Sequence, residues 1–381
     1  MYDKNTLSAL LADGFTERMA AEFLEMKEAE IASGMFDPTY LSWAHENGFF
    51  AESACAYGLS AENIGDYLSD YDYWKLWPLN DWQRIWINDK LTLNAMLLGT
   101  DMQHYLPEYY YYTTPRGFLP LQDSKGVADV SGLIAILKEK GEVAAKPCNG
   151  TLACGFHKLE FVDGAFIFDG KTVSEDELVR SLQEMKNYVF TEFLHPAKPL
   201  AKISPRIHTI RAIVLNESGV NPELVAAYIR FAVGGDEDGH KPNYVPPTNS
   251  NIFSYNAKIN LDTGHISNGT IVYANKVINA PQHPTSNALV DLTIDCWSEV
   301  VDVMKRMSMK FGACEYLGFD IGITDKGPKI MEINSNSGIK YIQVFQPLLT
   351  DERTASYYKS RIAEINALTA EQKAHRNNIW H

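Results

Sequence analysis

The sequence predicts a protein of mixed α/β or α+β class, in which a small helical domain precedes two layered units of strands and helices. The first 84 residues are rich in Ala, Glu and Leu at helical spacing. Strand and helix patterns alternate from residue 131 onward, and strand patterns dominate from residue 196. The chain has 381 residues, of which 45% are hydrophobic and 12% aromatic, which is enough for more than one packed core.

The N-terminal domain, residues 1–84, is expected to consist of helices. Helical spacing is clearest in ERMAAEFLEMKEAEIASGM, and Asp37 followed by Pro38 matches an N-cap with proline at the first helical position. The aromatic-rich segment 85–130 leads into the larger part of the chain, and Trp and Tyr are dense over residues 71–115. Those aromatic side chains indicate either packing between domains or stacking against carbohydrate.

A layered α/β unit is expected over residues 131–195. Its helices are indicated by capping residues and by a terminal glycine, and its strands by short apolar runs between turn signals. In order, the predicted elements are a helix capped by Ser131 and ending at Gly141, a strand over 142–147, a hairpin turning at Val162-Asp163-Gly164, a helix opened by a capping box of Ser174 and Glu177, and a strand over 188–194.

A second unit, residues 196–349, is expected to be rich in strands. Apolar strand patterns occur in HTIRAIVL, LVAAYIRFAV, NIFSYNAKINL and GTIVYA, and a helix is predicted over 291–312. The polar segment 234–250 has a length that indicates either function or disorder. The tail, residues 350–381, is expected to form one or two helices over 351–376.

Charge and cysteine content exclude several classes of partner and site. A formal net charge of −14 is unfavourable for binding nucleic acid or anionic membranes, which need surplus Lys and Arg. Neither a signal peptide nor a membrane-inserted segment is predicted, because no suitable apolar run occurs. Five cysteines without a CxxC spacing indicate a reduced, cytoplasmic protein without structural zinc. Cys154 is interpreted as a small loop residue, with a nucleophile as the alternative.

Two carboxylates are predicted to face each other on a hairpin near the C-terminal end. The segment DIGITDKGPKIMEIN alternates apolar residues around a turn signal. With the turn centred on Lys326, Asp320 lies opposite Glu332, and Asn334 follows on the same face. Facing carboxylates repel each other by up to about 1 kcal/mol. A divalent cation that prefers oxygen ligands, Mg²⁺ or Mn²⁺, would remove that cost. The alternative is a solvated face on which the repulsion is screened.

A lysine precedes a loop that can bind an anion. Lys146 ends the apolar run AAKP, and the loop after it contains Gly150 and Gly155. Lysine serves as a point charge for phosphate, and the backbone N–H groups around Asn149, Gly150 and Thr151 can turn toward an anion. The alternative is an ordinary surface lysine at the end of a strand.

Two arginines interrupt otherwise apolar strands. Arg211 lies in HTIRAIVL and Arg230 in AAYIRFAV. A guanidinium inside a strand is costly unless it meets an anion, which is either a core carboxylate or a phosphate or carboxylate of a substrate. The chain has no HExxH, no GxSxG and no Cys/His spacing for a transition metal or nucleophile.

Taken in order, these segments resemble the ATP-grasp superfamily, and look most like its sugar-transfer-associated branch. The resemblance covers roughly residues 85–347. It rests on WINDK with Lys90, AAKPCNGTLACGF with Lys146, VFTEFL with Glu192 to Leu194, and Asp320 followed by Glu332-Ile-Asn334. It implies an ATP-grasp fold, with two α/β subdomains that clasp a nucleotide. The chain departs from the family in the loop 148–155, where relatives have more glycine than NGTLACG.

The resemblance also implies a role for each matched residue, with ATP and one or two Mg²⁺ (or Mn²⁺) ions as cofactors. The usual acidic partner of the ribose has no match, and His195 or Lys198 stands in its place. The implied roles are phosphate binding by Lys90, Lys146 and the loop residues Asn149, Gly150, Thr151 and Gly155, adenine binding by Thr191 and the backbone of Glu192 and Leu194, metal binding by Asp320, Glu332 and Asn334, and stabilisation of the transferring phosphoryl group or acyl-phosphate by Arg211 and Arg230.

The function implied by the resemblance is an ATP-dependent carboxylate–amine ligase that acts through an acyl-phosphate. Its substrates would be a small-molecule carboxylate and an amine, such as an amino acid, amino sugar or sugar acid, in surface polysaccharide or related synthesis. Two alternatives remain open. One is a kinase that phosphorylates a small molecule or glycan precursor, and the other is a non-catalytic glycan- or partner-binding protein with a decayed nucleotide site. The sequence does not define an oligomeric state.

Overall fold

A computed structural model describes residues 4–149, 155–233 and 253–378 of the chain. The predicted phosphate-loop residues Gly150 and Thr151, as well as Cys154 and the polar segment 234–250, lie outside the described residues. Every strand pair in the described ranges is antiparallel, so the class is α+β.

Helices occur at both ends of the chain and between the strands. The helices are α1 (Lys4–Asp13), α2 (Glu17–Ser33), α3 (Pro38–Glu46), α4 (Ala51–Tyr57), α5 (Asp70–Lys75), α6 (Ile85–Asn88), α7 (Lys90–Leu97), α8 (Val130–Lys140), α9 (Glu175–Glu184), α10 (Lys198–Ala201), α11 (Trp297–Lys310), α12 (Lys340–Gln343), α13 (Glu352–Ala367) and α14 (Ala370–His375).

The first sheet has seven strands in the order β2-β1-β7-β3-β4-β5-β6. One of its faces packs against α8 and α9, which bury a cluster of apolar side chains around Leu133, Leu137 and Leu182. The strands are β1 (Tyr109–Thr114), β2 (Gly117–Pro120), β3 (Glu142–Pro147), β4 (His157–Val162), β5 (Ala165–Phe168), β6 (Lys171–Val173) and β7 (Tyr188–Thr191).

The second sheet has eight strands in the order β12-β11-β10-β9-β8-β14-β15, with β13 paired to β11. Its strands are β8 (Thr209–Leu215), β9 (Glu223–Phe231), β10 (Phe253–Ile259), β11 (His265–Tyr273), β12 (Val277–Asn279), β13 (Leu292–Thr293), β14 (Tyr316–Thr324) and β15 (Gly327–Asn334).

The two faces of the second sheet differ in what covers them. Side chains such as Ile210 and Phe319 point to the face that packs on α7 and α11. On the opposite face, Ile213 and Tyr316 pack against the N-terminal helices and α13. That second face changes from apolar to polar along the strands, because Arg211 precedes Ile213 on the same face of β8. The polar half contains the candidate site.

The structure corrects three of the predicted elements. The helix predicted to be capped by Ser131 is capped by Asp129, whose carboxylate accepts from the N–H groups of residues 131 and 132. The helix predicted over 291–312 begins only at Trp297, because the preceding residues form the short strand β13. The strand predicted over 188–194 ends at Thr191.

Five strands, β1, β2, β6, β12 and β13, were not predicted at all. The run Tyr109–Thr114 forms β1, and its residues are largely buried on both faces. A strand buried on both faces lacks the alternation of apolar and polar residues by which a half-exposed strand is recognised. The other predicted elements are confirmed, including the 142–147 strand, the hairpin after β4, the Ser174–Glu177 capping box and two terminal helices.

The C-terminal hairpin has the predicted pairing but a different turn. Thr324 pairs with Gly327, so the turn contains only two residues and is not centred on Lys326. A bulge between Asp320 and Ile321 in the register then adds one residue to β15, and Asp320 faces Glu332 as predicted. At the base of the hairpin Gly318 pairs with Asn334.

Gly318 allows the segment after the hairpin to pack closely on β14. A Cβ atom at this position would lie 2.7 Å from Cβ of Ser337 and closer still to its hydroxyl. We expect Gly318→Ala to lower the free energy of unfolding by about 1–3 kcal/mol, because the overlap forces a backbone shift. Urea denaturation measures this change.

Gly338→Ala is the matched control, since Gly338 belongs to the same segment and has open space around the Cβ position. Adding Ser337→Gly to Gly318→Ala should recover much of the loss, as a double-mutant cycle tests. Equal stability of Gly318→Ala and the wild type would contradict the packing described.

Candidate active site

A row of four side chains crosses the second sheet at the border between its apolar and polar halves. The register places Tyr228 beside Arg211, Arg211 beside Asp320, and Asp320 beside Glu332 on four neighbouring strands. Paired residues of antiparallel strands point to the same face. The row therefore presents one positive and two negative charges, next to a tyrosine hydroxyl, to one side of the sheet.

Arg211 and Asp320 form a two-pronged ion pair. Nε and Nη2 of Arg211 donate to Oδ1 and Oδ2 of Asp320 at 2.7 and 2.6 Å. The side chains are 18% and 10% exposed. Burial by itself would lower the pKa of Arg211, but the charge and hydrogen bonds of Asp320 raise it above its ordinary value. Of the two anions considered for Arg211 from the sequence, the structure shows the core carboxylate of Asp320.

Glu332 has its own basic partner. Nζ of Lys90 lies 2.5 Å from Oε1 of Glu332, and the Lys90 side chain is 7% exposed. Each of the two facing carboxylates is thus neutralised by a basic side chain of the protein. Both carboxylates stay available as oxygen ligands, so the metal site of Asp320, Glu332 and Asn334 stays a prediction.

Lys146 lies next to this second ion pair. Burial, and after it the charge of Lys90, lower the pKa of Lys146 to about 8, while the charge of Glu332 opposes the shift. Asn149, in the loop that follows β3, is exposed, and its Oδ1 accepts a hydrogen bond of 2.9 Å from Asn187. Two lysines crowded beside one carboxylate leave a surplus of positive charge at this end of β3.

Gly155 ends the loop where the chain passes close to β3 and β7. It has a φ of +76°, and a Cβ atom there would lie 2.7 Å from the hydroxyl of Tyr188 and 2.9 Å from Cγ of Pro147. Both the backbone conformation and the close contact require glycine.

Arg230 occupies the polar half of the same face as Arg211. It is 7% exposed, and its Nη2 donates to the hydroxyl of Tyr228 at 2.7 Å. Its guanidinium carbon lies 5.2 Å from the ring centre of Tyr341 in α12. Since Arg230 pairs with Thr209, two residues before Arg211 on β8, the two guanidinium groups are diagonal neighbours.

The predicted adenine hinge follows the end of β7. Thr191 is 2% exposed and ends the strand. The N–H of Glu192 donates to the carbonyl of Glu108, and the carbonyl of Glu192 accepts from the hydroxyl of Thr191 at 3.3 Å but has a second lone pair for a ligand edge. None of the described residues accepts a hydrogen bond from the N–H of Leu194. The carboxylate of Glu192 pairs with Lys326 at the tip of the hairpin.

The two candidates for a ribose contact differ in their surroundings. His195 forms a hydrogen bond to Glu142, which raises the pKa of the imidazole. Lys198 is exposed at the start of α10. Glu142 is thus an acidic group beside the hinge that sequence reasoning missed, because it lies on a neighbouring strand and not after the hinge.

Three consecutive residues, 88–90, join the two sheets at the site, and we call them the bridging turn. Asn88 contacts Ser335, just after β15. Asp89 accepts from the thiol of Cys148, just after β3, at 3.1 Å, and the N–H of Lys90 donates to the carbonyl of Cys148. Asn88, Asp89 and Cys148 were not predicted, because their partners are far away in sequence.

The donor set fits a metal ion that arrives with an anionic ligand. Among the described residues, no three His, Cys, Asp or Glu side chains converge on one point. The carboxylates of Asp320 and Glu332 and the amide of Asn334 would therefore need phosphate oxygens and water to complete the shell of Mg²⁺. Four basic side chains (Lys90, Lys146, Arg211, Arg230) against these two carboxylates leave a local charge of +2 in a chain of net charge −14.

Comparison with known proteins gives one family. A family model described as sugar-transfer associated ATP-grasp matches residues 83–354. No curated protein matches the chain. None of the helices in the described ranges has the length and apolar character needed to cross a bilayer.

Several solved structures are similar to the chain at low identity. They include the ATP-grasp ligase PsnB complexed with minimal precursor, with 14% identity, 74% of this chain and 62% of that chain covered, and a TM-score of 0.38. D-alanyl-alanine synthetase A from Vibrio cholerae has 12% identity, coverage of 74% and 66%, and a TM-score of 0.43. L-amino acid ligase from Bacillus licheniformis has 9% identity, coverage of 68% and 42%, and a TM-score of 0.34. The chain spans less than two thirds of the length of PsnB.

The ion pairs predict losses of stability of different size when either carboxylate is replaced in metal-free buffer. Asp320→Asn should lower the free energy of unfolding by roughly 3 kcal/mol, because it leaves the largely buried Arg211 without its charge partner. Glu332→Gln should cost less, about 1–2 kcal/mol, because Glu332 is 31% exposed although its partner Lys90 is only 7% exposed. Denaturant unfolding of both variants gives the comparison.

Removing both charges of the buried pair, with Arg211→Met and Asp320→Leu together, should restore most of the stability. An Asp320→Asn variant as stable as the wild type would show that Arg211 does not depend on this carboxylate.

Proposed function

Because the chain belongs to the sugar-transfer associated ATP-grasp family, we propose that it is an ATP-dependent ligase that joins a carboxylate to an amine through an acyl-phosphate. The observation that carries this proposal is the mixed row of charges, with two lysines beside it. ATP with one Mg²⁺ has a net charge of about −2 at neutral pH. That charge complements the local surplus of the four basic and two acidic side chains.

In this proposal the nucleotide lies between the two sheets. Lys146 and Lys90 hold the phosphates. The adenine edge meets the carbonyl of Glu192 and the N–H of Leu194. The support for this placement is that β7 ends at the hinge while the antiparallel β3 ends at Pro147, next to Lys146, so the two ends of the ligand meet different ends of one strand pair.

The metal ligands in this proposal are Asp320, Glu332 and Asn334. When bound, Mg²⁺ supplies charge neutralisation and alignment of the phosphate oxygens. Lys90 forms an ion pair with Glu332, and Arg211 forms one with Asp320. Phosphate oxygens can accept hydrogen bonds from Lys90 and Arg211 in place of the carboxylates. Each basic side chain then exchanges one anionic partner for another, and its charge stays paired.

The proposed reaction explains the use of two arginines. A carboxylate oxygen of the substrate attacks the γ-phosphorus, and the bond to the bridging oxygen breaks to release ADP. The amine then attacks the acyl carbon, loses a proton, and releases inorganic phosphate. Arg211 and Arg230 are neighbours on one face and face the same space. Fixed positive charges stabilise the transferring phosphoryl group and the acyl-phosphate most strongly where water is excluded.

We further propose that different segments of the chain have different roles. Residues 131–195 hold the base and phosphates, and residues 196–349 hold the metal ligands and arginines. Residues 85–130 connect the two, while residues 1–84 and the tail 350–381 support the second sheet from its apolar half. The reaction consumes ATP and is therefore assigned to the cytoplasm. The family description directs the search for substrates to amino acids, amino sugars and sugar acids.

The proposal is tested by following oxygen from the carboxylate. Each candidate acid is supplied with ¹⁸O in its carboxyl group, together with ATP, Mg²⁺ and a panel of amines, and ADP release identifies the active pair. An acyl-phosphate route transfers one labelled oxygen to inorganic phosphate, and mass spectrometry of the phosphate detects it. Glu332→Gln should lose ADP release while remaining folded.

Other outcomes would replace the proposal. A phosphorylated hydroxyl product without inorganic phosphate would establish the kinase. Absence of ADP release and of nucleotide binding would favour the non-catalytic alternative.

Lys146 predicts how nucleotide affinity depends on pH. Its lowered pKa of about 8 means that the ligand-free protein loses this charge as the pH rises through 8. Phosphate binds the protonated form, so affinity for MgATP should be constant below pH 8 and fall above it by up to about tenfold per pH unit. Lys146→Arg keeps its charge over the same range and should flatten the decline.

Calorimetric titration between pH 7 and 9.5 measures both proteins. Proton uptake on binding, read from buffers of different ionisation enthalpy, should accompany the decline in the wild type only. A wild-type affinity that does not change with pH would remove Lys146 from the phosphate site.

A further inference from the structure

Asn88 in the bridging turn holds the chain at the point where it leaves the metal-ligand hairpin. Its Oδ1 accepts from the N–H of Ser335 at 2.8 Å, and its Nδ2 donates to the hydroxyl of Ser335 at 2.9 Å. The last residue pair of the hairpin is Gly318 with Asn334, so Ser335 has no partner on β14. The side chain of Asn88 thus replaces the missing strand partner.

A second asparagine makes the same kind of contact at the other end of the hairpin base. Oδ1 of Asn80 accepts from the N–H of Tyr316 at 3.0 Å, and its Nδ2 donates to the carbonyl of the same residue at 2.6 Å. Tyr316 begins β14, four positions before Asp320. The two asparagines therefore fix the two strand ends at the base of one hairpin, but only Asn88 does so next to a proposed metal ligand.

We propose that Asn88 is a positioning residue that acts through Ser335 to set the direction of Asn334 and Glu332 toward the metal. This inference rests on the proposed function of those two residues as metal ligands. Hydrogen bonds to Ser335 fix the peptide plane between residues 334 and 335, and so fix the backbone from which the Asn334 amide projects. Lys90 of the same bridging turn forms the ion pair with Glu332. One short segment therefore positions both proposed metal ligands of β15, Glu332 and Asn334.

The bridging turn contacts both sheets, which explains why a residue in it can position the metal ligands. Asn88 holds the second sheet, and Asp89 holds Cys148 at the end of β3 of the first sheet. Burial and the hydrogen bond to Asp89 raise the pKa of the Cys148 thiol to about 12, so it remains a proton donor at neutral pH. The distance between the phosphate-binding end of β3 and the metal ligands on β15 is thereby set by covalently adjacent residues.

The test measures ATP binding by calorimetry as a function of Mg²⁺ concentration, with EDTA as the metal-free reference. Asn88→Ala should raise the Mg²⁺ concentration needed for half-maximal enhancement of binding by about tenfold or more. Its affinity for ATP in EDTA should remain that of the wild type. Asn80→Ala is the matched control, since it removes an equivalent pair of hydrogen bonds and should leave the Mg²⁺ requirement unchanged.

Ser335→Ala is the second variant, used if Asn88→Ala does not fold. It removes the bond from Nδ2 but keeps the backbone bond to Oδ1, and a several-fold rise in the Mg²⁺ requirement supports the proposal. An unchanged Mg²⁺ requirement in the Asn88 and Ser335 variants, or an equal change in Asn80→Ala, overturns it. If the wild-type protein binds no MgATP, the proposed function fails together with the role of Asn88. If the wild type binds MgATP and only the variants behave otherwise than expected, the role of Asn88 alone fails.

Discussion

The neutralisation of two facing carboxylates is the constraint on which the site depends. Asp320 and Glu332 point to one face of the second sheet, where neither is freely solvated. A carboxylate in such a place destabilises the fold unless a cation accompanies it. Arg211 comes from the neighbouring strand β8, and Lys90 comes from the bridging turn. The need to pair the two carboxylates therefore requires β8 and the bridging turn to lie next to the hairpin of β14 and β15. The same four groups are the proposed machinery, and their ion pairs hold them in place within the fold.

The position of the site follows from how the second sheet is covered. One face of this sheet has an apolar half covered by helices and a polar half that contains the site. The row from Tyr228 to Glu332 lies at the border between the two halves. The N-terminal helices and α13 bury the apolar half, including Tyr316. Arg230 stacks on Tyr341 of α12 just beyond that border. The helical segments at the two ends of the chain thus support the strands from which the site residues project.

Local patterns in the sequence predicted most elements and the pairing of Asp320 with Glu332, because turns and alternation are local properties. The family resemblance added Lys90 and the hinge. The ion-pair partners and Asn88 were beyond such reasoning, because their contacts join segments far apart in sequence, and no periodic pattern records a contact between two sheets. The buried strand Tyr109–Thr114 was missed for a different reason, since both of its faces are covered.

The bulge in β15 explains the spacing by which the two acids are recognised in the sequence. Residues that face each other across a regular hairpin with a two-residue turn are separated by an odd number of positions, whereas Asp320 and Glu332 are twelve apart. The even separation of Asp320 and Glu332 therefore results from the one residue that the bulge adds to β15. Homologues that lost this residue would keep the same two acids opposite each other, and a search pattern with a fixed interval would overlook them.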